Sequence, residues 1–301
     1  MPGPTGLLPF QARFPERFFD VGIAEQHEMT AAAGMAMGGL KPVVAVYSTF
    51  LSRAFDQANL DVGLHRLPIL IAADRAGITG DDGPSHHGIL DMALALAIPN
   101  MTVFAPSSAE DLEVMVASAL GLEGPALVRF PKTPARHAGP GEVGHGMEAL
   151  RLSQGDGSVC LVGVGKLVAA CQQAATRLAD QGIDATVWDV RVVSPLDPAL
   201  VADASHHALV VTAEDGVRFG GAGMHIADAI ADAALADGRP TPPVQILGVP
   251  RTYIRQGKPD DILARLGLDG AGIAGAVMAA LTGAKAPLAP RASPEVPPAI
   301  P

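Results

Sequence analysis

Strand-length apolar runs alternate with helix-period segments along almost the whole chain, and no other feature restricts the fold as strongly. Residues 43–47, 69–73, 102–104 and 126–130 are short and apolar, while 25–37, 50–64 and 109–122 carry helical patterns between them. A helix after each strand returns the chain across the sheet, so successive strands pair in parallel and an α/β fold follows. Periodicity is lost over 131–157, which gathers Pro, Gly, His and charge; 136–157 is read as a linker. The alternation then resumes, with strands predicted at 159–164, 185–190, 208–212 and 244–247 and helices at 167–181, 222–236 and 271–281. A chain of 301 residues suits two domains of about 130–150 residues each. These are placed at 1–135 and 158–283, each a mainly parallel sheet flanked by helices. The tail, 284–301, holds six prolines and no periodic pattern and is predicted to be disordered. The first convincing element is the helix at Glu25, and nothing before Phe18 reads as a buried strand. The first domain is therefore expected to lack its opening strand.

Charge and composition narrow the partners. Lys and Arg number 21 against 31 Asp and Glu, a net charge of −10, which argues against nucleic acid or an anionic membrane as the main partner. Cys160 opens an apolar run and Cys171 sits in a helical one, so both are read as buried free thiols in a reducing compartment. The N-terminal residues lack the basic and apolar regions of a secretory leader. The apolar tract at 271–284 is too short to span a bilayer. A cytoplasmic location is expected.

Reactive side chains concentrate just past the predicted strands, where loops of an open α/β sheet form a ligand crevice. Glu25 begins a helix in Ile23-Ala24-Glu25-Gln26-His27. It is either an acid complementing the helix dipole or a carboxyl whose pKa burial raises; the segment leaves both readings open. Asp74-Arg75 follows an apolar strand, and with Gly77 and Gly80 close behind, Arg75 suits a bidentate contact to phosphate or carboxylate. The next loop, from Gly80 to Gly88, carries Asp82 and His86; its spacing fits no standard zinc or calcium pattern. Orientation of substrate hydroxyls, or proton transfer by His86, suits it better. Tyr47 and Phe50 stand together at a strand end with Arg53 one turn on, which offers core packing or a stacking surface for a flat ring. Arg129 and Lys132 end the fourth strand, and either base could reach an anion.

Two glycine-rich stretches are set aside. Gly155-Asp156-Gly157 resembles the start of the Mg²⁺-diphosphate motif of thiamine enzymes, but the only asparagines, Asn59 and Asn100, lie upstream of it. Gly163-Val164-Gly165 and Gly220-Gly221-Ala222-Gly223 lack a full dinucleotide fingerprint.

Taken in order, FFDVGIAEQH, YSTFLSRAFDQ, DRAGITGDDGPSHHG, IPNMTVFAPS, RVVSPLD, EDGVRFGGAG and GVPRTYIRQGKPDDIL resemble the 1-deoxy-D-xylulose-5-phosphate synthases, thiamine-diphosphate enzymes of the transketolase superfamily. The resemblance covers nearly the whole chain except the tail, but only that family's pyrimidine-binding and C-terminal domains. It implies thiamine diphosphate as cofactor, with Mg²⁺ ligands expected in a diphosphate-binding half that this chain does not contain. By the same resemblance Glu25 hydrogen-bonds the pyrimidine at its 1′ nitrogen, Phe50 stacks on that ring, and Glu25 and His86 are catalytic. Pyruvate and glyceraldehyde 3-phosphate become the implied substrates. Tyr47, Arg75 and a base among Arg129 and Lys132 would hold the phosphate, and Arg53, Asp82 and His86 would orient polar groups. Lys132-Thr133 departs from the family's usual arginine and glycine, keeping the charge but losing the fork.

Three readings follow. The chain is a subunit active with a diphosphate-binding domain or subunit, as a homodimer or heterotetramer. Alternatively it is an inactive fragment or dimerisation module. In the third, it is the β subunit of another split thiamine-diphosphate enzyme, transketolase-like or a 2-oxo acid dehydrogenase.

Overall fold

The computed structural model describes residues 2–283. The 284–301 segment, expected to be disordered, lies outside them. The chain opens with a short helix, α1 (Leu8–Arg13), none of whose residues is buried. Then come α2 (Glu25–Met37), β1 (Val43–Tyr47), a helical stretch containing α3 (Phe55–Gln57), and β2 (Leu70–Asp74). After β2 the order is α4 (Asp91–Leu96), β3 (Thr102–Phe104), α5 (Ala109–Gly121) and β4 (Ala126–Phe130). The helix expected at 50–64 exists but is wound in three pitches. It begins as 3₁₀ turns at Ser48–Ala54, passes through α3 and ends as a π turn at Ala58–Gly63. Its first turn is tied down from outside, since the Ser48 and Thr49 hydroxyls donate to the carbonyls of Gly88 and Ser85, both at 3.0 Å.

The second half contributes β5 (Leu150–Ser153), β6 (Val159–Gly163), α6 (Leu167–Ala179), β7 (Thr186–Asp189), β8 (Val192–Ser194) and α7 (Pro198–Ala204). β9 (Leu209–Val217), α8 (Ala222–Ala236), β10 (Val244–Val249), α9 (Pro259–Arg265) and α10 (Gly270–Thr282) complete it. The expected α/β fold with two mainly parallel sheets is what forms. One sheet has the order β1-β2-β4-β3-β8 and the other β10-β9-β6-β7-β5.

Two features depart from the sequence expectations. The stretch read as linker contains β5, which pairs antiparallel with β7, so the irregular connection is 131–149. Its alternating exposed and half-buried residues make it an edge strand, too short and too polar to stand out from a linker. β8, from the second half, pairs antiparallel with β3 and closes the first sheet. The two halves are therefore one packed body, and a single apolar cluster runs from Met29 and Ile71 through Val103 to Cys160, Val210 and Ile226.

No strand precedes β1 among the described residues, and β1 pairs only with β2. Beside its open edge lies a cavity of about 770 Å³ lined by α2, β1 and the 2–22 segment. This is not the crevice that gathers the reactive groups. Pro259–Thr282 is long and apolar enough to cross a membrane by length and composition alone, yet half of its most apolar 18-residue stretch is buried. Here it is two helices, α9 and α10, and α10 packs on α6.

Candidate active site

Register places the site. In the parallel ladder β1-β2-β4, Tyr47 lies opposite Asp74 and Asp74 opposite Phe130. The three strands thus end level, and the residues just past them, Ser48, Arg75 and Pro131-Lys132, emerge at the carboxyl end of the sheet. α2 is antiparallel to β1, which brings its first residue, Glu25, to the same end. Arg75 has φ +60°, a left-handed conformation uncommon for any residue but glycine, which turns the chain sharply after β2.

The side chains interlock. The Glu25 carboxylate, 14% exposed, stands 3.5 Å from Nη1 of Arg53, whose guanidinium lies 5.0 Å over the Phe50 ring. Phe50 is offset-stacked with Tyr47, centroids 5.8 Å apart and 12° between planes, and meets the His86 ring edge-on at 5.6 Å. Arg75 lies 4.3 Å over Tyr47 and 3.9 Å from the Asp74 carboxylate. His86 Nδ1 pairs with the Ser85 hydroxyl at 2.9 Å, and Lys132 donates to Asp82 at 2.9 Å. That bond, with the positive charges of Lys132 and Arg75, holds the Asp82 carboxyl below its ordinary pKa. Eight of the nine residues singled out from the sequence thus meet at one crevice.

Arg129 is the exception. Expected as a possible phosphate base, it is 4% exposed within β4 and donates from Nε to Asp91 and from Nη1 to Asp215, both at 2.8 Å. Burial alone would depress its pKa, but the Asp215 and Asp91 carboxylates outweigh burial and hold it above its ordinary value. Strands of a parallel sheet are covered on both faces. A base three residues before the strand-end lysine therefore points into the body of the protein, leaving Lys132 as the accessible cation.

Glu28 escaped the sequence reading. It lies one turn along α2 from Glu25, and burial raises its pKa to about 7, with the Glu25 and Asp20 carboxylates adding to the shift. The i, i+3 spacing on a helix face was the available signal. The glycine-rich stretches that were set aside are structural. The Asp156 carboxylate caps its own turn, accepting from the Ser158 amide at 2.8 Å. At the N-terminus of α8 the Glu214 carboxylate accepts from the amides of Ala222 and Gly223 at 3.1 and 2.8 Å, taking the place an anion would fill. Among the described residues no group of three or more His, Cys, Asp or Glu side chains could hold a metal ion. Cys160 and Cys171 are free and buried, and burial pushes the Cys171 thiol up to about 12.

Comparison with known proteins finds two family matches along the chain. Residues 1–137 match the transketolase pyrimidine binding domain and 148–273 the transketolase C-terminal domain. A solved structure described as a split gene transketolase, inactive beta4 tetramer, superposes with a TM-score of 0.80 at 33% identity, covering 91% of this chain and 87% of that one. The chain belongs to the transketolase family. Among family members, the 1-deoxy-D-xylulose-5-phosphate synthase of Thermobifida fusca is 47% identical over 277 residues, 90% of this chain but 42% of the relative. 1-Deoxy-D-xylulose-5-phosphate synthase 1 of Kitasatospora griseola is 45% identical over 274 residues, again 90% of this chain and 41% of the relative. The chain thus spans about two fifths of the length of the curated relatives it matches. The transketolase of Campylobacter jejuni, at 18% identity and a TM-score of 0.70, shares the fold.

Proposed function

We propose that this transketolase-family chain supplies the pyrimidine-binding and C-terminal portion of a 1-deoxy-D-xylulose-5-phosphate synthase. With a diphosphate-binding domain or subunit, it would join pyruvate to glyceraldehyde 3-phosphate and release carbon dioxide. The observation that carries the proposal is the crevice itself, where a partly covered carboxyl, an aromatic platform and two cations stand at the level ends of three strands.

The residues fit a flat, hydrogen-bonding heterocycle such as the aminopyrimidine of thiamine diphosphate. Glu25 offers a carboxyl at the crevice wall and Phe50 offers a ring face, now partly covered by Arg53. When bound, the cofactor would supply the electron sink that decarboxylation needs. The chain's own part is to hold and position. Glu25 would hold the ring nitrogen through its carboxyl and serve as its proton partner, Arg75 and Lys132 would bind a phosphate with Tyr47 beside them, and Arg53, Asp82 and His86 would meet hydroxyl and carbonyl groups. Lys132 is already paired with Asp82, so a phosphate arriving there competes with a carboxylate. Mg²⁺ would be held by the diphosphate-binding portion.

A second reading, a catalytically inactive fragment or dimerisation module, draws on the split-gene relative, whose beta4 tetramer is described as inactive. One experiment addresses both. The full chain is mixed with the diphosphate-binding portion of a relative, and carbon dioxide release from pyruvate is followed with and without glyceraldehyde 3-phosphate. Activity is expected only in the mixture and only with both substrates, and Glu25→Gln should abolish most of it while assembly persists. An associated but inactive mixture refutes the synthase assignment, and full activity with Glu25→Gln removes Glu25 from the chemistry.

A further inference from the structure

The loop that carries Asp82 and His86 belongs to the first sheet by sequence, yet it is seated on the second half of the protein. Ile78, 1% exposed, is buried in the apolar cluster built from Leu161, Val211, Val249, Ile262 and their neighbours, and Ile89 at the far end of the loop packs on the same cluster. Between these anchors the loop folds on itself. Gly77 and Gly88 exchange amide hydrogen bonds at 2.7 and 2.8 Å, Gly83 donates to Gly80, and His86 donates to Gly83. His87, 5% exposed, accepts from the Thr79 amide at 3.2 Å.

Three glycines with positive φ meet the second half. A Cβ on Gly77 would overlap the Asp215 carboxylate, and one on Gly80 would lie 2.8 Å from the Gly257 carbonyl and from Pro259. One on Gly83 would touch Gln256 at 3.5 Å. Asp215 also bonds Arg129 of β4, and the Val217 amide of β9 donates to Ile89 at 2.7 Å. The second half thus contacts the loop at both ends and along its middle. None of the eight crevice residues comes from the second half.

We propose that the C-terminal half positions the Asp82–His86 loop, with Asp215 and the 254–259 segment as positioning residues that set how the aldehyde substrate is held. The inference rests on the reading of the crevice as the aldehyde-binding site. Misplacing a substrate-orienting group by about 1 Å is enough to weaken catalysis by around a hundredfold, so a clamp outside the crevice can govern one substrate selectively.

Ile254→Ala loosens the 254–259 segment from the apolar cluster, and Asp215→Asn keeps size while removing the charge that faces Arg129 and Gly77. In the full chain, amide hydrogen exchange over 83–88 should speed up at least tenfold in Ile254→Ala, while that of α2 and β1 stays within twofold. In the mixture with a relative's diphosphate-binding portion, both variants should raise KM for glyceraldehyde 3-phosphate at least fivefold and leave KM for pyruvate within twofold. Unchanged exchange over 83–88 overturns the clamp. Faster exchange with equal KM changes for both substrates overturns the positioning role. If the wild-type mixture is inactive, the reading of the crevice fails and the exchange result alone decides whether the loop is clamped.

Discussion

Replacing Arg129 with Met tests how the two halves are joined. Arg129 sits between Asp91, at the start of α4, and Asp215, in β9 of the second half, and all three side chains are nearly sealed from water. Methionine preserves most of the packing but leaves two buried carboxyls without their cation. Removing one partner of a buried pair costs about 3–5 kcal/mol. Two lost charge-assisted hydrogen bonds, at about 1.5–3 kcal/mol each, give a similar total. A loss of about 3–5 kcal/mol at pH 7.5 is therefore expected in urea unfolding, read from the midpoint and slope. Trp188, the only tryptophan, reports the second half, and circular dichroism reports the whole. In wild type the two signals should coincide, and in the variant they should separate. Burial already raises the Asp91 pKa, with Arg129 opposing it. Without Arg129 the folded state holds protons that the unfolded state releases, so the variant's deficit should shrink as pH falls towards 5. The exposed pair Lys41–Glu123, 3.2 Å apart, is the control: Lys41→Met should cost at most about 0.5 kcal/mol. A deficit below about 1 kcal/mol, or one independent of pH, would refute the argument.

Three further outcomes are expected. Glu28 titrates near 7 in the folded protein against an ordinary value of 4.5, so wild type loses stability as pH rises between those values and Glu28→Gln does not. Discounted for partial solvent screening, the variant should be about 1–2 kcal/mol more stable than wild type at pH 8 and no more stable at pH 4.5 in thermal or urea unfolding. In the assembled enzyme, Arg75→Ala should raise KM for glyceraldehyde 3-phosphate roughly ten- to a hundredfold and spare pyruvate, since one charge-assisted contact is worth about 1.5–3 kcal/mol. Lys132→Arg should lower the same KM by restoring a fork, and equal effects of Arg75→Ala on both substrates would make Arg75 structural.

The sequence by itself determined the elements that periodicity writes along the chain: the α/β class, the strands of both sheets that alternate with helices, and the two buried thiols. It also placed Tyr47, Phe50, Arg53, Arg75 and Lys132 at or just past strand ends, Asp82 and His86 on the following loop and Glu25 at a helix start, because residues just past a buried parallel strand are forced to the carboxyl end of the sheet. What it could not hold was anything set by pairing between distant segments. β5 and β8 are three or four residues long, and their partners, not their composition, make them strands. Arg129 and Lys132 are equally basic in sequence. Only tertiary structure separates a guanidinium sealed between Asp91 and Asp215 from an ammonium at the crevice, because the carboxylates that bind Arg129 come from residues 38 and 86 positions away. The seating of the Asp82–His86 loop on the second half is likewise a fact of packing, since Ile78 and Ile89 look like ordinary loop residues until the core that buries them is formed.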